Sequence, residues 1–137
     1  MNSKKIIRSV LFFSAITLFL IACTKTDTVT TSTSDRDKFV GTWIATTTGP
    51  SGQLNFTLTI TASNSAPDQI LLRNFDLTGS TAYIAASVSG VNLTMQSTLI
   101  GSDRYDGSGS IASSIITFNY TVDDGQTIET RTGTAHK

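Results

Sequence analysis

The chain has 137 residues, with ten Lys and Arg against ten Asp and Glu, a formal net charge of zero. That length suits one small domain, and a charged fraction of only 15%, below the ~25% of an average soluble domain, argues against a nucleic-acid-binding surface. A single Cys excludes an internal disulfide and a Cys-rich metal site, and a single His, at position 136, leaves almost no histidine chemistry.

The first segment reads as an address. Lys4, Lys5 and Arg8 form a basic start, and Val10 to Ala22 is an almost wholly apolar run of 13 residues. That run falls short of the ~20 residues a spanning helix needs, so a secretory signal is the better reading than a transmembrane anchor. It ends on Leu20-Ile21-Ala22-Cys23, which resembles the bacterial lipobox. The resemblance implies that residues 1–22 are a lipoprotein signal peptide and that Cys23 becomes the first residue of the mature protein. It implies too that the Cys23 thiol receives a diacylglyceryl group and the new amine an acyl chain such as palmitate. Each buried CH₂ is worth ~0.8 kcal/mol, so two or three chains hold a protein on a membrane for good. Thr24 stands where Asp retains a lipoprotein in the inner membrane under the best-known sorting rule. The resemblance therefore implies a lipid-anchored place in the cell envelope, at the outer membrane. Without the three basic residues of the signal, seven basic face ten acidic side chains. That balance of −3 argues again against nucleic acid, and against anionic lipid surfaces, as partners.

Residues 23–37 are expected to form the lipidated Cys and a flexible tether. Thr24 to Thr33 reads TKTDTVTTST, which lacks large apolar side chains and cannot bury enough surface to offset its ordering entropy. Its root-mean-square reach is ~20 Å. Ser34-Asp-Arg-Asp37 can cap a single helical turn, and residues 38–137 are expected to form one β domain.

From there apolar and polar residues alternate between turn signals, the mark of strands. In Gln53 to Ala62, Leu54, Phe56, Leu58 and Ile60 fall on one face and Asn55, Thr57, Thr59 and Thr61 on the other. The pattern predicts strands at 39–48, 53–62, 69–77, 81–89, 91–98, 103–112, 115–122 and 127–136. The links are too short for parallel crossovers, so neighbours in sequence should pair antiparallel. An all-β, eight-stranded antiparallel up-and-down meander follows, closed into a barrel or folded into a two-sheet β-sandwich. Closure removes exposed edges, which favours the barrel. The interior of such a barrel is either filled by side chains or holds one small ligand. The expected inward residues are Trp43, Leu54, Phe56, Leu58, Ile60, Leu72, Ile84, Val88, Val91, Leu93, Met95, Ile116, Phe118, Tyr120 and Val122.

Phe39-Val-Gly-Thr-Trp43 resembles the opening of lipocalin-like domains, where Gly-x-Trp sits on the first strand after a short helical turn. The resemblance implies that Gly41 lets the turn approach the barrel base and that Trp43 plugs it. An Arg of the last strand, here Arg131, would stack on the Trp. With Gly107-Ser-Gly-Ser110 and Val122-Asp-Asp-Gly125, the chain also resembles small bacterial lipoproteins that carry a lipocalin-like domain. It is shorter than a full lipocalin, which implies a smaller cavity.

No catalytic constellation stands out. A Ser-His-Asp site needs an orientable His, and His136 lies near a chain end. Asp68, Asp76, Asp103, Asp106, Asp123 and Asp124 fall in turns and read as solvated carboxylates. Neither Asp103 to Gly107 nor Asp123 to Gly125 has EF-hand spacing. No enzyme activity, metal or cofactor is expected. The first functional expectation is a non-enzymatic binding module for a small apolar or amphiphilic ligand, with Tyr83, Tyr105 and Arg73 at the barrel rim. The alternative is a structural or interaction protein without a cavity, either an envelope complex subunit or an enzyme inhibitor. Both are anchored to the membrane through Cys23.

Overall fold

A computed structural model describes residues 34–137. Cys23, the signal segment and the tether to residue 33 lie outside the described residues. The described chain forms eight strands, β1 Gly41–Gly49, β2 Gly52–Ala62, β3 Gln69–Arg73, β4 Tyr83–Ser89, β5 Asn92–Ile100, β6 Asp103–Ala112, β7 Ile115–Asp123 and β8 Ile128–His136. Each pairs antiparallel with the next, and β8 returns to β1 from Ile44–His136 to Thr48–Thr132. The sheet is therefore a closed up-and-down barrel, and the two-sheet sandwich is set aside.

Period-2 alternation carries the fold. Phe56, Leu58 and Ile60 of β2 are buried while the threonines between them lie outside or at half depth. Inward side chains of β1, β3, β4, β5 and β7 meet them in one core that includes Trp43, Leu72, Ile84, Leu93 and Phe118. Val91, expected inward, is 49% exposed, because it occupies the tight Gly90-Val91 turn rather than a strand. Large rings on β7 are accommodated by missing side chains on its neighbours. Phe118 lies between Gly109 of β6 and Gly133 of β8, and Tyr120 opposite Gly107. A Cβ on Gly107 would stand 2.5 Å from that of Tyr120, and one on Gly133 2.4 Å from the Thr46 carbonyl oxygen. The Gly-rich segment thus marks close strand packing.

Strands alternate in direction, so the turns after β2, β4 and β6 share one end, here the basal end, with the start of β1. A 3-10 turn, Asp35–Lys38, closes that end. The Asp37 carboxylate accepts the Ser34 N–H at 3.0 Å, and Arg36 Nη1 donates to the carbonyls of Ser63 and Ala66 at 2.9 and 3.0 Å. Asp35 accepts the Gly90 N–H at 3.0 Å. Residues placed at the end of the expected tether are therefore bonded into the barrel base. Phe39 is fully buried behind this turn, and the Trp43 indole donates to its carbonyl at 2.7 Å. Gly41 has φ 137°, a conformation that L side chains rarely adopt.

The opposite, distal end departs from the expected strands. β3 stops at Arg73, and the expected continuation to residue 77 is a 3-10 turn, Phe75–Leu77. Asn74, Asp76 and Leu77 have φ of 56°, 54° and 67°. Asn tolerates that left-handed region, and here its side chain holds the turn by donating to the Thr57 carbonyl and accepting from the Gly79 N–H.

Candidate functional site

The barrel interior at its distal end is occupied. The turn after β3 sends the Phe75 ring into the core, where it is fully buried. It meets Phe56, Phe118 and Tyr120 edge-on at centroid distances of 6.0, 5.3 and 4.7 Å, a favoured aromatic geometry. Asp76 follows it inward. Expected as a solvated turn carboxylate, it is 7% exposed, because the left-handed backbone at position 76 turns the side chain under the rim. Tyr120 donates its hydroxyl to this carboxylate, and the Thr47 hydroxyl lies 3.5 Å away.

Arg131 completes this cluster rather than stacking on Trp43. Its Nε lies 3.6 Å from Asp76 Oδ1. Its Nη1 donates to Ser51 Oγ at 2.7 Å and Glu129 Oε1 at 2.8 Å, and its Nη2 to the Gly52 carbonyl at 3.0 Å. Glu129 Oε1 also accepts the Ser51 backbone N–H and hydroxyl, which holds its carboxyl below the usual carboxylate range. The guanidinium therefore ties the β1–β2 turn and the plug to β8. The cation over the Trp43 ring is Lys137, at 4.6 Å from the centroid. The register explains why Lys137, and not Arg131, covers the ring. Ile44 pairs with His136, so the position beside Trp43 is 137, six residues from Arg131, or ~20 Å along a strand.

The three expected rim residues do not come together. Tyr105 points inward and is buried. Burial, followed by the charge of Asp76, pushes its hydroxyl up to about 12. Tyr83 and Arg73 are register partners on the outer face, with the guanidinium 5.3 Å from the ring centroid. In the expected reading Asp76 and Arg131 had no joint role, nor did Phe75. In the sequence Leu71, Phe75 and Leu77 run on in one phase, so the plug has no local signal there; the barrel shows the change. The inward positions Ile70 and Leu72 are even and the next buried residue, Phe75, is odd. A phase change of that kind breaks a strand.

The outer face of the described barrel carries an open groove lined by polar side chains and one guanidinium. β4 pairs with β5 only from Ala86–Met95 to Ser89–Asn92. Toward the distal end β5 follows β6 instead, through a bulge between Met95 and Thr98 that re-aims its side chains. A groove of about 700 Å³ runs beside this divergence, across β2 to β5. Gln69 and Arg73 of β3, Tyr83 of β4 and Gln96 and Thr98 of β5 line it. The loop Ser63-Asn64-Ser65 closes its basal end. The Arg73 guanidinium is the one charged group among these lining side chains. Among the described residues, no three His, Cys, Asp or Glu side chains gather into a group that could hold a metal ion. Comparison with family models, with curated proteins and with solved structures finds no match to this chain.

Proposed function

We propose that this chain is a non-enzymatic lipoprotein of the bacterial envelope, anchored through Cys23, that works through the outer surface of its barrel. This is the interaction-protein reading, chosen over carriage of a small apolar ligand inside. The observation that carries it is Phe75. Its ring fills the space between Phe56, Phe118 and Tyr120, where an internal ligand of the lipocalin kind would sit. Polar groups then close the distal end behind it, with Arg131 joined to Asp76, Glu129 and the turn at Ser51. At the other end, Phe39 and Trp43 are buried beneath the Asp35–Lys38 turn.

The anchor rests on the lipobox resemblance at Leu20 to Cys23. The two parts are tested separately. For the interior, the full chain is titrated with an apolar fluorescent dye, anilinonaphthalene sulfonate, and examined by native mass spectrometry after extraction from membranes. The wild type takes up no dye and carries no retained ligand, whereas Phe75→Ala binds the dye. A stoichiometric apolar ligand retained by the wild type overturns the reading. For the anchor, Cys23→Ala leaves the membrane fraction. Its continued partition with membranes refutes lipidation.

A further inference from the structure

We propose that the outer groove across β2 to β5 is a binding site for an acidic oligosaccharide, with a sugar ring against Tyr83 and its carboxylate on Arg73. The inference rests on the outer surface being the working face and names the ligand that face takes. Size permits it: about 700 Å³ lies within the ~300–1,000 Å³ of small-molecule sites.

The lining is chemically particular. A pyranose has an apolar face of C–H groups and a rim of hydroxyls, each both donor and acceptor. Tyr83, 47% exposed, presents the part of its flat apolar ring that the Arg73 guanidinium does not cover. Gln69, Gln96 and Asn64 carry amides, which also donate and accept at once, so they match such a rim without choosing one orientation in advance. Arg73 adds the charge. Its Cζ is held 5.3 Å from the Tyr83 centroid, and its one hydrogen bond among the described residues, Nη1 to the Ser80 carbonyl, is long at 3.4 Å. The planar fork thus stays available to a carboxylate, which it recognises bidentately. Among the described residues, no Asp or Glu lines the groove to compete for it. The acidic balance of the rest of the chain is screened beyond ~8 Å at physiological salt, so the local guanidinium decides the sign. A peptide added as an extra strand would find Leu71, Ala62 and Ala85 as the aliphatic lining, set among hydroxyl and amide side chains that outnumber them, rather than a row of pockets for alternate apolar residues. The saccharide is therefore the better fit.

The test is calorimetric titration of the full chain with oligomers of galacturonic acid, oligomers of neutral galactose, and polyglutamate. The acidic sugar binds, weakens with salt, and binds more tightly than the neutral sugar. Arg73→Gln lowers its affinity by ~10-fold or more, the worth of a charge-assisted pair. Tyr83→Ala lowers it, and Tyr83→Phe, which keeps the ring, retains it. These outward substitutions lower the urea midpoint only slightly, through the lost contact between Arg73 and the Tyr83 ring, and the variants stay folded under the titration conditions, so a loss of binding is not one of folding. Equal binding of acidic and neutral sugars, stronger binding of polyglutamate, undiminished binding by Arg73→Gln and Tyr83→Ala, or no sugar binding at all each overturns the proposal. No sugar binding while the dye stays excluded from the barrel defeats this inference alone. Dye or ligand inside the wild-type barrel defeats the surface reading as well.

Discussion

Two cations of the last strand and its tail hold opposite ends of this barrel. Lys137 covers Trp43 and also donates to the Val40 carbonyl at 3.1 Å, whereas Arg131 is 4% exposed among Asp76, Glu129 and Ser51. Their energetic weights should differ accordingly. A cation over an aromatic ring at a partly open site is worth ~0.5–1 kcal/mol. Removing one partner of a buried ion pair costs ~3–5 kcal/mol, because the remaining charges lose their compensation. Urea unfolding should therefore show Lys137→Ala close to wild type, with altered Trp43 fluorescence. Arg131→Ala should be destabilised several-fold more. Equal losses would mean that the distal cluster is not acting as a buried network. Nothing local in the sequence sets these partners. Both residues lie near β8, and only the β1–β8 register puts one beside the Trp and the other at the far rim.

At the scale of single elements, the turn Asn74 to Thr78 decides whether the barrel is hollow. Its backbone runs through the left-handed region at three non-glycine residues, each a cost of ~1–2 kcal/mol. The buried Phe75 ring and the Asp76 contacts offset that cost. Phe75→Ala should destabilise by ~3–5 kcal/mol, as buried aromatic truncations do, and the measured loss should be smaller in saturating dye. β8 has the opposite constraint. Gly133 faces the Thr46 carbonyl and the Thr47 side chain at under 3 Å from any added Cβ. Gly133→Ala should therefore cost ~1–3 kcal/mol by overpacking, read as a lower urea midpoint. A neutral result would show that β1 and β8 can part without loss. The strands themselves were readable. β2, β6, β7 and β8 lie within a residue or so of their expected spans, because each carries unbroken alternation between turn residues. β3 was not, since a change of phase at Asn74 looks from sequence like the continuation of a strand; β5 was readable as a strand, but the bulge between Met95 and Thr98 inside it was not.

For the whole molecule, titration behaviour follows from how the two ends are tied. Asp35 is held below the usual carboxylate range by Lys38, Asp124 by the Thr127 and Gln126 amides, and Glu129 by Ser51. A depressed carboxyl contributes stability that is present above the unfolded value of ~4 and lost as pH falls through the folded value. Tyr105 is pushed up to about 12, and Tyr120 is raised as well by burial and its bond to Asp76. A raised tyrosine contributes stability that is fully present below ~10 and lost as pH rises from there through the folded value. Urea midpoints measured across pH should thus form a plateau that falls off below about pH 4 and above about pH 10. Tyrosine absorbance in the folded protein should lag that in denaturant. Ionisation of Tyr105 and Tyr120 at the same pH in the native protein as in denaturant would contradict their inward placement.

Alternation, short links and turn residues are local properties, so the sequence alone determined an all-β antiparallel meander and most of its inward residues. It also carried Gly41 and Trp43 at the start of β1, since a glycine and a ring two apart need no partner to be read. Barrel closure, the partner of Trp43, the burial of Asp76 and Phe75, and the separation of Tyr105 from Tyr83 and Arg73 were decided by the tertiary structure. Each depends on the register of strands far apart in the chain or on one residue entering the left-handed region. Neither leaves a period in the sequence.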